Sequence, residues 1–370
     1  MLTVLGFAPF YLFPVPVITL ALLFGFCHNS TTPLKAALMG FGFGMGLFSA
    51  GVTWIYVSLH DFGAMPMPLA VTALIILCAY LAIFPSLSVW ILAKLRLTPS
   101  ITWALVAAAL WMLFEWLRGS LFTGFPWLAL GYSQAPYSPL VGFAPIVGVY
   151  GISLLLVLSA TLLFLWIDKG VRKWRYGLPL MLIWLTGFCL QMIDWVKPHG
   201  EPITVSLLQG NIAQDMKWRE DHVENTMETY AKLILNSDSR LIVTPEISIP
   251  LFSDNVPPLY LSYLTEHARK NTGDVLIGFA ERTTNNDDEY YNTMFSFGTS
   301  PEQSYRKHHL VPFGEFIPLK PIFGWVINVL QIPLSDFSRG GLDQQPMDLA
   351  GQRVAINICY EDVFGEEIIN

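Results

Sequence analysis

Three short stretches in the last third of this 370-residue chain hold side chains able to do covalent chemistry. Thr244-Pro245-Glu246 offers a carboxylate. Tyr305-Arg306-Lys307-His308-His309-Leu310-Val311-Pro312-Phe313-Gly314-Glu315 offers an ammonium, and Asn357-Ile358-Cys359-Tyr360-Glu361 offers a thiol. A free thiol has a pKa of about 8.5 and is mostly protonated at neutral pH, so it needs a base. Glu246 can take the proton, while Lys307 can favour the thiolate and later an oxyanion. The thiolate then attacks an ester carbonyl, the alcohol leaves and an acyl-thioester remains. Delivery to an amine draws such a cycle forward, because an amide is more stable than either ester. Each residue also has a plain reading: Glu246 as a solvated loop carboxylate, Lys307 as part of a basic surface run, Cys359 as an inert buried thiol. His308 and His309 have no second ligand pair at useful spacing, so neither a metal nor a cofactor is expected.

The elements that must position these residues are legible around them. Ile203–Gln209 alternates and is rich in β-formers, and Arg240–Thr244 is a short apolar run ending just before Glu246; both predict strands. Val223, Met227, Tyr230, Leu233 and Ile234 recur at the period of an amphipathic helix over His222–Asn236, and Pro257–Asn271 reads as a second helix. Asp274–Ala280, Tyr291–Gly298 and Arg353–Cys359 predict further strands. Strand–helix–strand alternation followed by more strands indicates a layered α/β domain. In such domains chemistry sits at strand ends and in the loops that follow, where Glu246 and Cys359 fall.

Composition separates this half from the rest. The chain is 53% hydrophobic and only 13% charged, with a mean hydropathy of +0.49, which is typical of several membrane spans. Residues 1–194 carry 8 Lys/Arg and 4 Asp/Glu; residues 195–370 carry 13 and 24. An acidic globular half argues against a nucleic-acid partner. The expected organisation is a membrane module over 1–194 and a globular domain over 195–370. Apolar runs predict spans near 17–27, 36–58, 68–93, 100–118, 145–167 and 178–194, with a partial one at 1–8. Gly40–Gly46 alternates glycine with apolar residues inside a span and reads as small-residue packing between helices. Lys35, Lys94, Arg96, Lys169, Arg172, Lys173 and Arg175 fall in alternate loops, against Arg118 alone beside the others. Positive loops stay in the cytoplasm, so the globular half is expected on the outer side. In loop 119–144, aromatics interleave with Gly and Pro; this fits an interfacial belt or one wall of a lipid-entry groove. Glu115 and Arg118 read as a structural ion pair. The apolar start without a basic n-region, and an end eleven residues after Cys359, suggest a fragment truncated at both ends.

These motifs, with Leu208-Gln209-Gly210-Asn211-Ile212, Lys217-Trp218, Gly124-Phe125-Pro126-Trp127 and Phe337-Ser338-Arg339-Gly340, are jointly specific. The chain resembles the apolipoprotein N-acyltransferases, membrane members of the nitrilase superfamily, over essentially its whole length. The resemblance implies a nitrilase-like αββα sandwich, here incomplete at its C-terminus, joined to a polytopic helical bundle in a bacterial inner membrane. It also implies a ping-pong reaction. Cys359 would take an acyl chain from a phospholipid, typically phosphatidylethanolamine, and pass it to the α-amine of a diacylglyceryl-cysteine apolipoprotein. By motif, Glu246 would be the base, Lys307 the oxyanion stabiliser and Cys359 the nucleophile. Glu315 would support the lysine, Tyr360 and Glu361 would shape the surroundings of the thiol, and Trp218 would belong to a mobile loop that contacts substrate. The apolar stretch 316–338 would be an arm dipping toward the bilayer. Thr244 stands where the family commonly has tryptophan, and the strands that normally follow Cys-Tyr-Glu are absent. Two other readings compete: a membrane-anchored amidase hydrolysing a small amide, and a transporter with an extracytoplasmic sensor domain. The apolar and aromatic loops favour a lipid substrate over a small amide. Apart from Glu115, the spans lack the polar pathway a transporter needs.

Overall fold

The computed structural model describes residues 1–169, 173–213, 216–283, 286–317, 321 and 336–369. Its contacts divide the chain into two compact units. The first comprises Met1–Asp61 with Met65–Pro198, and the second Phe62–Ala64 with His199–Asn370.

The first unit is helical. Its helices are α1 (Pro14–His28), α2 (Pro33–Gly51), a single turn α3 (Trp54–Val57), α4 (Met67–Lys94), α5 (Ile101–Ser120), α6 (Ala144–Asp168) and α7 (Trp174–Leu190). Two starts are written into the sequence: the Thr32 side chain accepts from the Lys35 amide and the Ser100 side chain from the Trp103 amide, each at 3.3 Å. Such caps satisfy amides that a first turn leaves without partners. Among the described residues, four helices are long and apolar enough to cross a membrane: Pro33–Gly51, Met67–Lys94, Ile101–Thr123 and Pro139–Asp168. The predicted spans 17–27 and 178–194 fall on the shorter α1 and α7, of 15 and 17 residues. Residues 1–8 form only a 3-10 turn, Leu2–Gly6, and Pro9 then interrupts a helical ladder.

Two of the alternating glycines let α2 and α4 touch backbone to backbone. A Cβ on Gly44 would lie 2.8 Å from the Ala82 Cα, and one on Gly40 2.9 Å from the Ser86 Cα. Ser86 donates to the Ala37 carbonyl at 2.8 Å across the same seam. Glu115 and Arg118 are both buried and 3.8 Å apart. The carboxylate accepts from the Leu130 amide, and the guanidinium donates to the Phe125 and Trp127 carbonyls. The pair therefore ties loop 119–144 to α5. In that loop Phe125 and Trp127 pack on the bundle core, while Phe122, Tyr132 and Tyr137 are exposed.

The second unit is built on a five-stranded sheet in the order β1 (Val205–Leu207), β2 (Leu241–Val243), β3 (Asp274–Thr283), β4 (Asn286–Gly298), β5 (Ser304–Arg306). The first three strands run parallel and the last two antiparallel to their neighbours. Alternation on β3 sorts its side chains. Val275, Ile277 and Phe279 join Tyr230 and Ile234 of α8 (Glu220–Leu235) and Leu264 and Ala268 of α9 (Pro258–Lys270) in one core. Leu276 faces the other side, with Leu241, Met294 and Ile358. There the hairpin β6 (Met347–Leu349) and β7 (Gln352–Val354) adds Met347 and Leu349. Buried Asp274 anchors this hairpin by accepting from the Ala350 amide at 2.6 Å. Helices, sheet and hairpin thus supply three layers, α, β and β, of the expected αββα sandwich among the described residues.

One predicted element is shorter than expected. Arg353–Cys359 pairs only over Gln352–Val354, because no strand among the described residues lies beside 355–358 to complete its ladder. Cys359 instead opens a 3-10 helix, Cys359–Val363, followed by the single turn α10 (Gly365–Ile368).

Candidate active site

The carboxylate of Glu246 is delivered by a tight turn at the end of β2. Thr244 is buried; its hydroxyl pairs with that of Ser248 at 2.7 Å and donates to the Leu276 carbonyl at 3.1 Å. A small hydroxyl residue at this position thus knits the turn to β3. Ile247 follows with φ +42°, a conformation that a branched side chain adopts only under tertiary constraint. The turn lies directly on β3, where a Cβ on Gly278 would stand 2.5 Å from the Ile247 amide nitrogen and 2.6 Å from the Pro245 carbonyl oxygen. Gly278→Ala is therefore expected to displace Glu246. Any reaction that depends on the Glu246 carboxylate should slow by up to about a hundredfold, the scale for a reacting group moved by about an ångström. An unchanged rate in rapid-quench assays would refute this.

Lys307 leaves β5 with its amide donating to the Asn292 carbonyl at 2.8 Å. Its side chain is fully buried, and Nζ lies 3.0 Å from Glu246 Oε1 and 2.8 Å from Glu315 Oε1. Asn292, on β4, donates from its side-chain amide to the same two oxygens. Two acids are thus bridged twice, once by a cation and once by a neutral amide. The other Glu315 oxygen accepts from the Val311 amide at 2.8 Å, which closes the Pro312–Gly314 turn behind the lysine.

Cys359 sits in the left-handed region, φ +54°. Glu361 holds this strained turn in place. One of its oxygens accepts from the Ile358 amide at 2.7 Å; the other accepts from the His308 amide at 2.7 Å, the His309 amide at 3.1 Å and the Tyr305 hydroxyl at 3.0 Å. A single buried carboxylate thereby binds the thiol-bearing turn to the strand exit that carries Lys307. Cys359 and Glu246 together line a cleft of about 260 Å³ over Val243, Leu276 and Met294.

Burial would raise the pKa of Glu246, but the Lys307 ammonium, the Asn292 amide and Lys217 outweigh it and hold the carboxyl below its usual range. Burial would lower the pKa of Lys307; the carboxylates of Glu246 and Glu315 reverse this and keep the ammonium protonated well above neutrality. Desolvation and then the adjacent Glu246 charge push the Cys359 thiol up to about 11. At neutral pH the site thus holds a protonated thiol beside an ionised carboxylate. Its alkylation by iodoacetamide is expected to climb about tenfold per pH unit between pH 7 and 10, tracking the thiolate fraction. A plateau reached below pH 8 would show instead a preformed thiolate.

Other expected site residues lie around this centre. Trp218 packs, half-buried, against the cluster of Ile247, Ala280, Leu310 and Phe337 beneath the Glu246 turn. The Tyr360 ring makes edge contacts with His309 and Phe364. Of the stretch 316–338, Phe323, Trp325, Ile327 and Leu330 lie outside the described residues. The sequence does not single out Asn292 or Lys217 individually, and Tyr305 stands there only as a flank of the lysine motif. Asn292 sits on a strand directly opposite Ala280. A polar residue in an apolar β-run was the one local signal for it.

Residues 1–162 match the family described as apolipoprotein N-acyltransferase N-terminal domain, and residues 204–370 match carbon-nitrogen hydrolase. The chain is 67% identical over 367 residues to the apolipoprotein N-acyltransferase of Nitrosomonas europaea, covering 99% of this chain and 73% of that protein. It is 41% identical over 369 residues to the proteins of that name from Chromobacterium violaceum and Methylococcus capsulatus. The matches cover 99% and 98% of this chain, and 71% and 72% of those proteins.

Proposed function

The chain belongs to the apolipoprotein N-acyltransferase family, and on that premise we propose that it moves an acyl chain from a phospholipid to the N-terminal amine of a diacylglyceryl-cysteine apolipoprotein, through a thioester on Cys359. The observation that carries this reading is the buried Lys307 ammonium held between Glu246 and Glu315, with the Cys359 thiol beside Glu246.

Glu246 takes the Cys359 proton as sulfur attacks the ester carbonyl carbon. Lys307 has three N–H donors and spends two on Glu246 and Glu315. The third is available to the oxyanion, whose charge a fixed ammonium stabilises without reorganisation. As the intermediate collapses, the C–O bond breaks and Glu246 returns the proton to the departing glycerol oxygen, releasing a lysophospholipid. The acceptor amine then attacks the thioester, its proton passes by way of Glu246 to the departing sulfur, and an amide and the free thiol result. Phosphatidylethanolamine is the donor the family resemblance favours.

Placement follows from charge. The connections α1–α2, α4–α5 and α6–α7 and the helix ends beside them bear Lys35, Lys94, Arg96, Lys169, Lys173 and Arg175. The positive-inside rule puts those connections in the cytoplasm of a bacterial inner membrane and the 195–370 catalytic domain on its outer side.

The test is to incubate the protein with phosphatidylethanolamine carrying a labelled acyl chain, then add a synthetic diacylglyceryl-cysteine peptide. The expected result is one acyl mass on Cys359, chased onto the peptide amine. An enzyme that stays unacylated while hydrolysing small amides would instead be an amidase.

A further inference from the structure

Lys217 stands in the segment before α8, and nothing in the scheme above uses it. Its ammonium donates to the backbone carbonyl of Glu246 at 3.1 Å, so it grips the turn that delivers the base. The same ammonium lies 5.9 Å from the centre of the Trp218 ring, which packs beneath that turn. The remaining charges define what this cation does. Glu246, Glu315 and Glu361 bring three carboxylates to the region, against the single buried ammonium of Lys307. His308 is engaged through Nδ1 with the Gly340 carbonyl and His309 with Glu367. Arg219, on the same segment as Lys217, pairs with Asp221. The field at the sulfur is therefore acidic unless a second cation offsets it.

We propose that Lys217 is a positioning residue of the site, which fixes the Glu246 turn through its carbonyl and supplies the second positive charge that makes the Cys359 thiolate attainable. The proposal rests on the reading of Cys359 as nucleophile. Its electrostatic half agrees with the behaviour of Lys217 itself: burial lowers its pKa, while Glu246 and then Cys359 act in the opposite direction. Two jobs predict two separable losses. A neutral residue that can still donate to the carbonyl keeps the turn and loses the charge; an apolar one loses both.

The test measures the pH profile of iodoacetamide alkylation at Cys359 by intact mass, in the whole chain in detergent. Cys189 is replaced by Ser, since it is the other exposed cysteine. Lys217→Gln is expected to move the profile upward and to slow alkylation severalfold at pH 8, the sense of removing a nearby positive charge. Lys217→Met should do the same and also slow acylation by phospholipid beyond the Gln variant, whereas Lys217→Arg should restore most of both. Should Met melt early, the Gln and Arg pair carries the test alone. A Gln profile that superimposes on the parent overturns the proposal, as does failure of Arg to restore it. If Cys359 alkylates with a Lys217-dependent profile but takes no acyl chain from phospholipid, the transferase reading fails and the role of Lys217 stands. If the parent does not alkylate at Cys359 at all, both fall.

Discussion

Replacing Cys359 with Ala is expected to abolish the acyl-enzyme, with overall transfer falling on the order of 10⁶-fold, as happens when a nucleophile acting within a catalytic unit is removed. The variant should fold like its parent. Cys359 is solvent-accessible, and the contacts that hold its turn are made by the Ile358 amide and the Glu361 carboxylate rather than by the sulfur. Intact mass spectrometry after exposure to labelled phospholipid decides the matter. An acyl mass retained on the Ala variant would remove Cys359 from the mechanism altogether. Cys359→Ser should also stay unlabelled, because an alcohol is far harder than a thiol for Glu246 to deprotonate.

Lys307→Met should lose both activity and stability, and for a different reason. Methionine fills similar space but leaves Glu246 and Glu315 facing each other with only Asn292 between them. Breaking a fully buried ion pair from one side costs about 3–5 kcal/mol, and the cost here is smaller because the Glu246 and Glu315 side chains stay 29% and 14% exposed. Two carboxylates that lose their shared cation are expected to retain one proton between them at neutral pH, which removes the base as well as the oxyanion donor. Acylation should fall below detection, and the melting temperature in detergent should drop measurably. Lys307→Met combined with Glu315→Gln should recover part of that stability without recovering acylation. If the single variant melted like its parent, the ion-pair account of this cluster would be wrong.

Comparing expectation with structure shows where one-dimensional reading works. The amphipathic period over His222–Asn236 became α8, with Tyr230 and Ile234 buried. The apolar run at Arg240–Thr244 became the central parallel strand β2, because three hydrophobic residues in a buried strand need no alternation to be recognised. Glycines 40 and 44 became a helix–helix contact, since spacing of four on a helix puts both on one face. Three-residue strands escaped or were overextended. β5, which aims Lys307, carries too few residues to show a period, and the ladder that Arg353–Cys359 was expected to make ends at Val354.

Taken alone, the sequence determined which groups could react: a carboxylate, an ammonium and a thiol in separate motifs, beside a set of apolar runs long enough for a bilayer. Those facts are local, set by side-chain type and by hydropathy over a few turns. Tertiary structure decided which groups meet. Glu246 and Lys307 are 61 positions apart, and Glu361 reaches back across 56 positions to Tyr305. Asn292 and Lys217 entered the site only because β4 and the segment before α8 pass beside the Glu246 turn. Charge balance at a buried site is a sum over everything within a few ångströms, and no window along the chain contains that sum.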